Sequence, residues 1–140
     1  MKLKTKLLII FSLIFFVSMK NIFFKSPKDK VLTKLRMIED EVYRRGYDPN
    51  WIIISGKRSQ WYNDILRLSA KNSQHVKGNA VDIYVFDVDC DGKFTKKDIE
   101  IVRLANISVE KNFPEYKGFF NTYLNKGIFA KRMIHIDVRR

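Results

Sequence analysis

Two short stretches of this chain repeat one alternation, and together they restrict the fold more than any other feature. In AVDIYVF (80 to 86) and MIHIDV (133 to 138) a branched aliphatic residue recurs at every second position. Side chains on a strand alternate between faces, so Val81, Ile83 and Val85 point one way, as do Ile134, Ile136 and Val138. The opposite faces carry Asp82, Tyr84 and Phe86 on one strand, His135 and Asp137 on the other. Such strands keep one face on a core, and laying them side by side brings their polar groups together.

Helical patterns surround them. Ser26-Pro27-Lys28-Asp29 predicts a helix start with Ser26 as N-cap and Pro27 at the first helical position. Val31, Leu32, Leu35, Ile38 and Val42 then recur at helical spacing until Gly46. WIIIS (51 to 55) predicts a short buried strand, and SGKRS sets Arg58 just beyond its end. Residues 60 to 68 predict a helix with Trp61, Ile65 and Leu68 on one face. Residues 112 to 130 are rich in Phe and Tyr, with Gly118 and Gly127 as turn points; they fit a substrate-cleft wall or core packing with a hairpin. With 140 residues, 46% of them hydrophobic, the chain is long enough for one packed domain, expected to be α+β with a small antiparallel sheet flanked by helices.

The N-terminus reads differently. Lys2, Lys4 and Lys6 precede Leu7 to Met19, a run without charge that is short for a membrane span and right for an export signal. No small-residue cleavage site follows, so residues 1 to 24 are expected to be a signal peptide or a retained anchor, and residues 25 to 140 the domain. The expected location is the periplasm or cell envelope. Cys90 is the only cysteine, which excludes an internal disulfide. The net charge is +12, and the first nineteen residues account for three lysines and no acid, leaving +9. Such a surface favours anionic wall polymers or acidic lipid headgroups, and export points away from nucleic acid.

A metal site is within reach of these elements. Asp82 and His135 can project from neighbouring strands, and His75 can join them if the chain folds back through Lys77-Gly78. Two imidazoles and a carboxylate make a three-ligand zinc site with a fourth position open to water. SGKRS (55 to 59), SQHVKGNAVDI (73 to 83) and HIDVR (135 to 139) stand in the order and rough spacing of the LAS metallopeptidases. The family pattern S-x-H-x-x-G-x-A-x-D is met at every fixed position, and the resemblance covers residues 51 to 139.

That resemblance implies zinc held by His75, Asp82 and His135, and hydrolysis of peptide bonds in peptidoglycan stem peptides. It implies that Arg58 holds a substrate carboxylate or the scissile carbonyl, and that Ser73 and Gly78 shape the ligand loop next to substrate. Many members carry an acidic general base three residues before the last histidine, where this chain has Arg132. Asp137 is then the expected base, or else a group that orients a histidine; Glu110 and Glu115 are further candidates. The zinc pattern also resembles the hedgehog signalling domain, which binds rather than cleaves, so a zinc- and calcium-holding domain that binds a wall or protein partner is the alternative.

A second motif follows the metal strand. DVDCDGKFTKKD (87 to 98) is similar to an EF-hand loop: Asp87, Asp89 and Asp91 at positions 1, 3 and 5, Gly92 at 6, the Lys93 carbonyl at 7, Phe94 at 8 and Asp98 at 12. The aspartate at position 12 matches dockerin repeats, although those carry two loops. Calcium is the expected ion, with magnesium admitted by the shorter Asp98. Thr95 and Asp98 also predict a capping box for a helix with Ile99, Val102 and Ile107 facing inward.

Overall fold

The computed structural model describes residues 27–66 and 72–139; the expected signal or anchor, the Ser26 cap and Leu68 lie outside them. The elements are α1 (Asp29–Arg44), β1 (Trp51–Ser55), α2 (Gln60–Ile65), α3 (Gln74–Lys77), β2 (Ala80–Val85), α4 (Lys96–Asn112), β3 (Phe120–Thr122) and β4 (Met133–Asp137). Short 3-10 turns cover Pro114–Tyr116 and Ala130–Arg132. All strand pairs are antiparallel, in the order β1-β2-β4-β3, so the two alternating strands lie at the centre and the fold is α+β.

The core follows the alternation. Val81, Ile83, Val85, Ile134 and Ile136 are fully buried in one cluster with Val31, Ile38 and Val42 of α1 and Val102 and Ala105 of α4. Burying each such aliphatic side chain contributes roughly 1.5–3 kcal/mol, so this seam between two helices and one sheet face is the main source of stability.

Four local expectations change. The N-cap of α1 is Lys28, without a side-chain cap bond, so the helix starts two residues later than Ser26-Pro27 predicts. β1 is an edge strand, and its Ile52 and Ile53 are 53% and 47% exposed, with no strand among the described residues pairing to its outer flank. In α2 the residue that turns inward is Asn63, while Trp61 and Ile65 face outward; periodicity gives a stripe but does not say which stripe packs. Ile107 of α4 is exposed because it lies five residues, about 140° of helix, beyond the buried Val102.

Candidate metal centre

Asp82 and His135 are direct partners in the β2–β4 ladder, and Asn121 of β3 stands opposite His135. These three form a row across the sheet face opposite the core. His75 comes from α3, a single turn capped by the Ser73 hydroxyl, which accepts from the His75 N–H at 3.3 Å. Gly78 ends the turn at φ 75°, a left-handed conformation suited to glycine, and its carbonyl accepts from the Lys28 N–H. The sharp reversal aims the buried His75 ring back at Asp82.

Hydrogen bonds on the far side of each ring set its tautomer. His75 Nδ1 lies 2.7 Å from the Gly56 carbonyl and donates to it, which leaves Nε2 as an acceptor. His135 Nε2 lies 3.4 Å from Asp137 Oδ2, and a proton held on that side makes Nδ1 an electron-pair donor. His75 Nε2, His135 Nδ1 and Asp82 Oδ1 then meet at separations of 3.2, 3.1 and 3.0 Å. Three electron-pair donors in so small a triangle repel one another unless a cation is shared among them. Tetrahedral zinc, with bonds of about 2.0–2.1 Å, sets its ligand atoms about 3.3 Å apart, so the donor set fits that ion in chemistry and spacing.

Without a metal, a proton takes the cation's place. Burial would depress the His135 pKa, but hydrogen bonds to Asp137 and Asp82 and the charges of both raise it to about 9. Burial would raise Asp82, yet the hydrogen bond from the protonated His135, with the His75 ring beside it, holds it well below the usual carboxylate range. Asp137 shows the same balance: burial pushes up, and bonds from His135, Arg139 and the Phe119 N–H bring it down to about 2.

Further side chains hold Asp82 and His135 from behind. The Arg58 guanidinium donates to Asp82 Oδ2 at 2.7 Å and, through Nε and Nη2, to the Ser55 hydroxyl. A register irregularity between Ile53 and Ser55 is what sets Ser55 opposite Asp82. Asp137 Oδ1 accepts from the Phe119 N–H at 2.6 Å, Arg139 donates to both carboxylate oxygens, and the Asp137 backbone carbonyl accepts from the buried Lys34 ammonium at 2.9 Å. A cavity of about 540 Å³ opens onto the triad, and Arg58, Ser73, Asn121, Tyr123 and Asp137 are among its lining residues.

The other proton acceptors considered in the sequence lie elsewhere. Glu110 bonds the Lys34 ammonium and the Gly118 N–H, and neither Glu110 nor Glu115 lines the cavity. Arg132 stacks 4.5 Å from the Phe94 ring centroid and does not line the cavity over His75, Asp82 and His135. Asn121 and Tyr123 were not legible as site residues. Their place depends on the register of β3 against β4, and a three-residue strand does not reveal that in sequence.

The acidic loop forms as a compact turn in which Asp87, Asp89 and Asp91 each bring a carboxylate oxygen within 4.8 Å of the others. Asp87 accepts from the Asp91 and Gly92 N–H groups, and φ is positive at both Cys90 and Gly92, which curls the backbone around the acids. The Lys97 ammonium lies 2.8 Å from Asp89 Oδ2. Asp98 stays outside this cluster. One of its oxygens accepts from the Val88 and Asp89 N–H groups, the other from the Thr95 N–H, completing the expected capping box.

No family model matches the chain, and no curated protein matches it either. The fold and site define a small α+β domain with an antiparallel sheet and a buried His-His-Asp group that could hold a metal.

Proposed function

We propose that this domain is a zinc-dependent peptidase of the cell envelope, hydrolysing peptide bonds in peptidoglycan stem peptides. The observation that carries this reading is the convergence of two imidazole lone pairs and a carboxylate oxygen at the floor of an open cavity. The LAS-like motifs supply the substrate class. When bound, zinc polarises a carbonyl and lowers the pKa of a coordinated water to about 7. Arg58 holds Asp82 in place and lines the cavity, where its remaining donors would bind a substrate carboxylate or the scissile carbonyl. Ser73 shapes the histidine turn at the cavity wall. Of the two roles expected of Asp137, proton acceptor or a group that orients a histidine, its 3.4 Å approach to the far nitrogen of His135 supports the second, as with carboxylates behind metal-bound histidines. The trio of Asp87, Asp89 and Asp91 binds calcium and braces the junction between β2 and α4.

One observation favours the binding alternative. Among the described residues the cavity is lined by only two carboxylates, Asp82 and Asp137, and both are engaged by donors, so no spare proton acceptor faces substrate. Digestion of purified murein by the zinc-loaded protein, with and without chelator, separates the two, with the products weighed by mass spectrometry. Chelator-sensitive release of stem-peptide fragments supports the peptidase. Zinc-dependent binding to murein with no change in product mass would replace it by the binding domain.

A further inference from the structure

Residues 123 to 132, YLNKGIFAKR, link β3 to β4 and are ordered as turns around a left-handed Gly127 at φ 101°. At the tip, Ile128 is 85% exposed and Phe129 62% exposed. Phe129 rests on Tyr84, 4.7 Å between ring centroids, and Ile52, the register partner of Tyr84 on β1, is exposed as well. An apolar tip therefore stands out from the face that carries the metal triad, and Ile128 adds nothing to the core.

Charge selects the occupant. From residue 116 to residue 136 there is no acid, while Lys117, Lys126, Lys131 and Arg132 fall in the same span. Lys126 and Lys131 flank the tip directly. Two large exposed apolar side chains with a lysine two residues to either side in the chain suit the boundary of an anionic bilayer, where the apolar groups enter the headgroup region and the ammonium groups meet phosphate.

We propose that this loop seats the domain on an anionic lipid surface through Ile128 and Phe129, with Lys126 and Lys131 on lipid phosphates. The contact goes beyond the peptidase reading and does not depend on it. It would act alongside the apolar N-terminal segment, because stable membrane attachment generally takes two signals.

The test uses the full chain carrying Cys90→Ser, with an environment-sensitive fluorophore on Phe129→Cys or, as a control, on the exposed Asp40→Cys of α1. Proteins are added to vesicles of phosphatidylglycerol and phosphatidylcholine that contain a lipid-borne quencher. Quenching at position 129 should exceed that at position 40 by at least twofold. It should fall to the control level when Lys126→Glu and Lys131→Glu are added, or when the vesicles are phosphatidylcholine alone. An unchanged far-ultraviolet circular dichroism spectrum and melting temperature show that the variants are folded. Equal quenching at 129 and 40 would assign all attachment to the N-terminus and overturn the proposal. So would quenching at 129 indifferent to lipid charge and to both glutamates, or a lipid-free, concentration-dependent change at 129, which would mark a contact between copies.

Discussion

Gly118 shows how closely the His-His-Asp group depends on a residue without a side chain. A Cβ built there would overlap the Asp137 backbone carbonyl and stand 2.6 Å from Asp137 Oδ1. The strand approaches that closely because the Phe119 N–H donates to Oδ1 and the Phe119 carbonyl accepts from the Asp137 N–H. Gly118→Ala should push Asp137 off His135. Overpacking of this kind costs about 1–3 kcal/mol, readable in denaturant unfolding. Loss of the group behind a histidine ligand typically weakens metal affinity about 10–100-fold, so zinc binding should drop within that range. Unchanged zinc affinity would show that Asp137 does not orient His135. In the sequence Gly118 reads only as a turn point, since its need for close approach arises from a residue nineteen positions away.

At the scale of elements, the acidic loop and α4 are joined by Asp98, and two substitutions separate its work from that of the acids before it. Asp98→Ala removes the acceptor for the Val88, Asp89 and Thr95 N–H groups. Each buried donor left unpaired costs about 1–3 kcal/mol, so the loss should be several kcal/mol and equal with calcium or chelator. Asp87→Ala combined with Asp91→Ala should instead remove the rise in melting temperature that calcium gives the wild type, because only a ligand of the folded state stabilises by mass action. A larger penalty for Asp98→Ala in calcium than in chelator would place Asp98 among the ligands after all. The capping box and the three-acid cluster were both legible, being set by spacing within twelve residues. Which of the two would hold Asp98 was not, because both motifs claim it.

For the whole molecule, the proton that stands in for a metal gives a pH dependence with a definite sign. His135 has a folded pKa of about 9, above the value of about 6.5 for a free histidine, so it adds stability to the metal-free protein below about pH 6.5. That contribution is lost as pH rises through 9. Zinc displaces the proton, so the loaded protein should show no such loss. Thermal melts from pH 6 to pH 10, with zinc and with chelator, should therefore diverge as pH rises, and parallel curves would refute a shared proton–metal site. Zinc affinity should increase over the same interval, because fewer protons compete for the ligands.

The α+β class, the pairing of the two alternating strands and the candidate ligands His75, Asp82 and His135 were all legible in the sequence. Period-2 alternation assigns each strand a face, and the S-x-H-x-x-G-x-A-x-D spacing puts a histidine one tight turn before its aspartate. Tertiary structure decided the rest: that Trp61, Ile65 and Ile107 face outward, that β1 is an edge, that Asn121 and Tyr123 join the cavity, and that Asp137 lies behind His135. The physical reason is the range of each constraint. Periodicity and turn chemistry act over a few residues, whereas the packed face of a helix, the partner of an edge strand and the far side of an imidazole are fixed by groups distant in the chain.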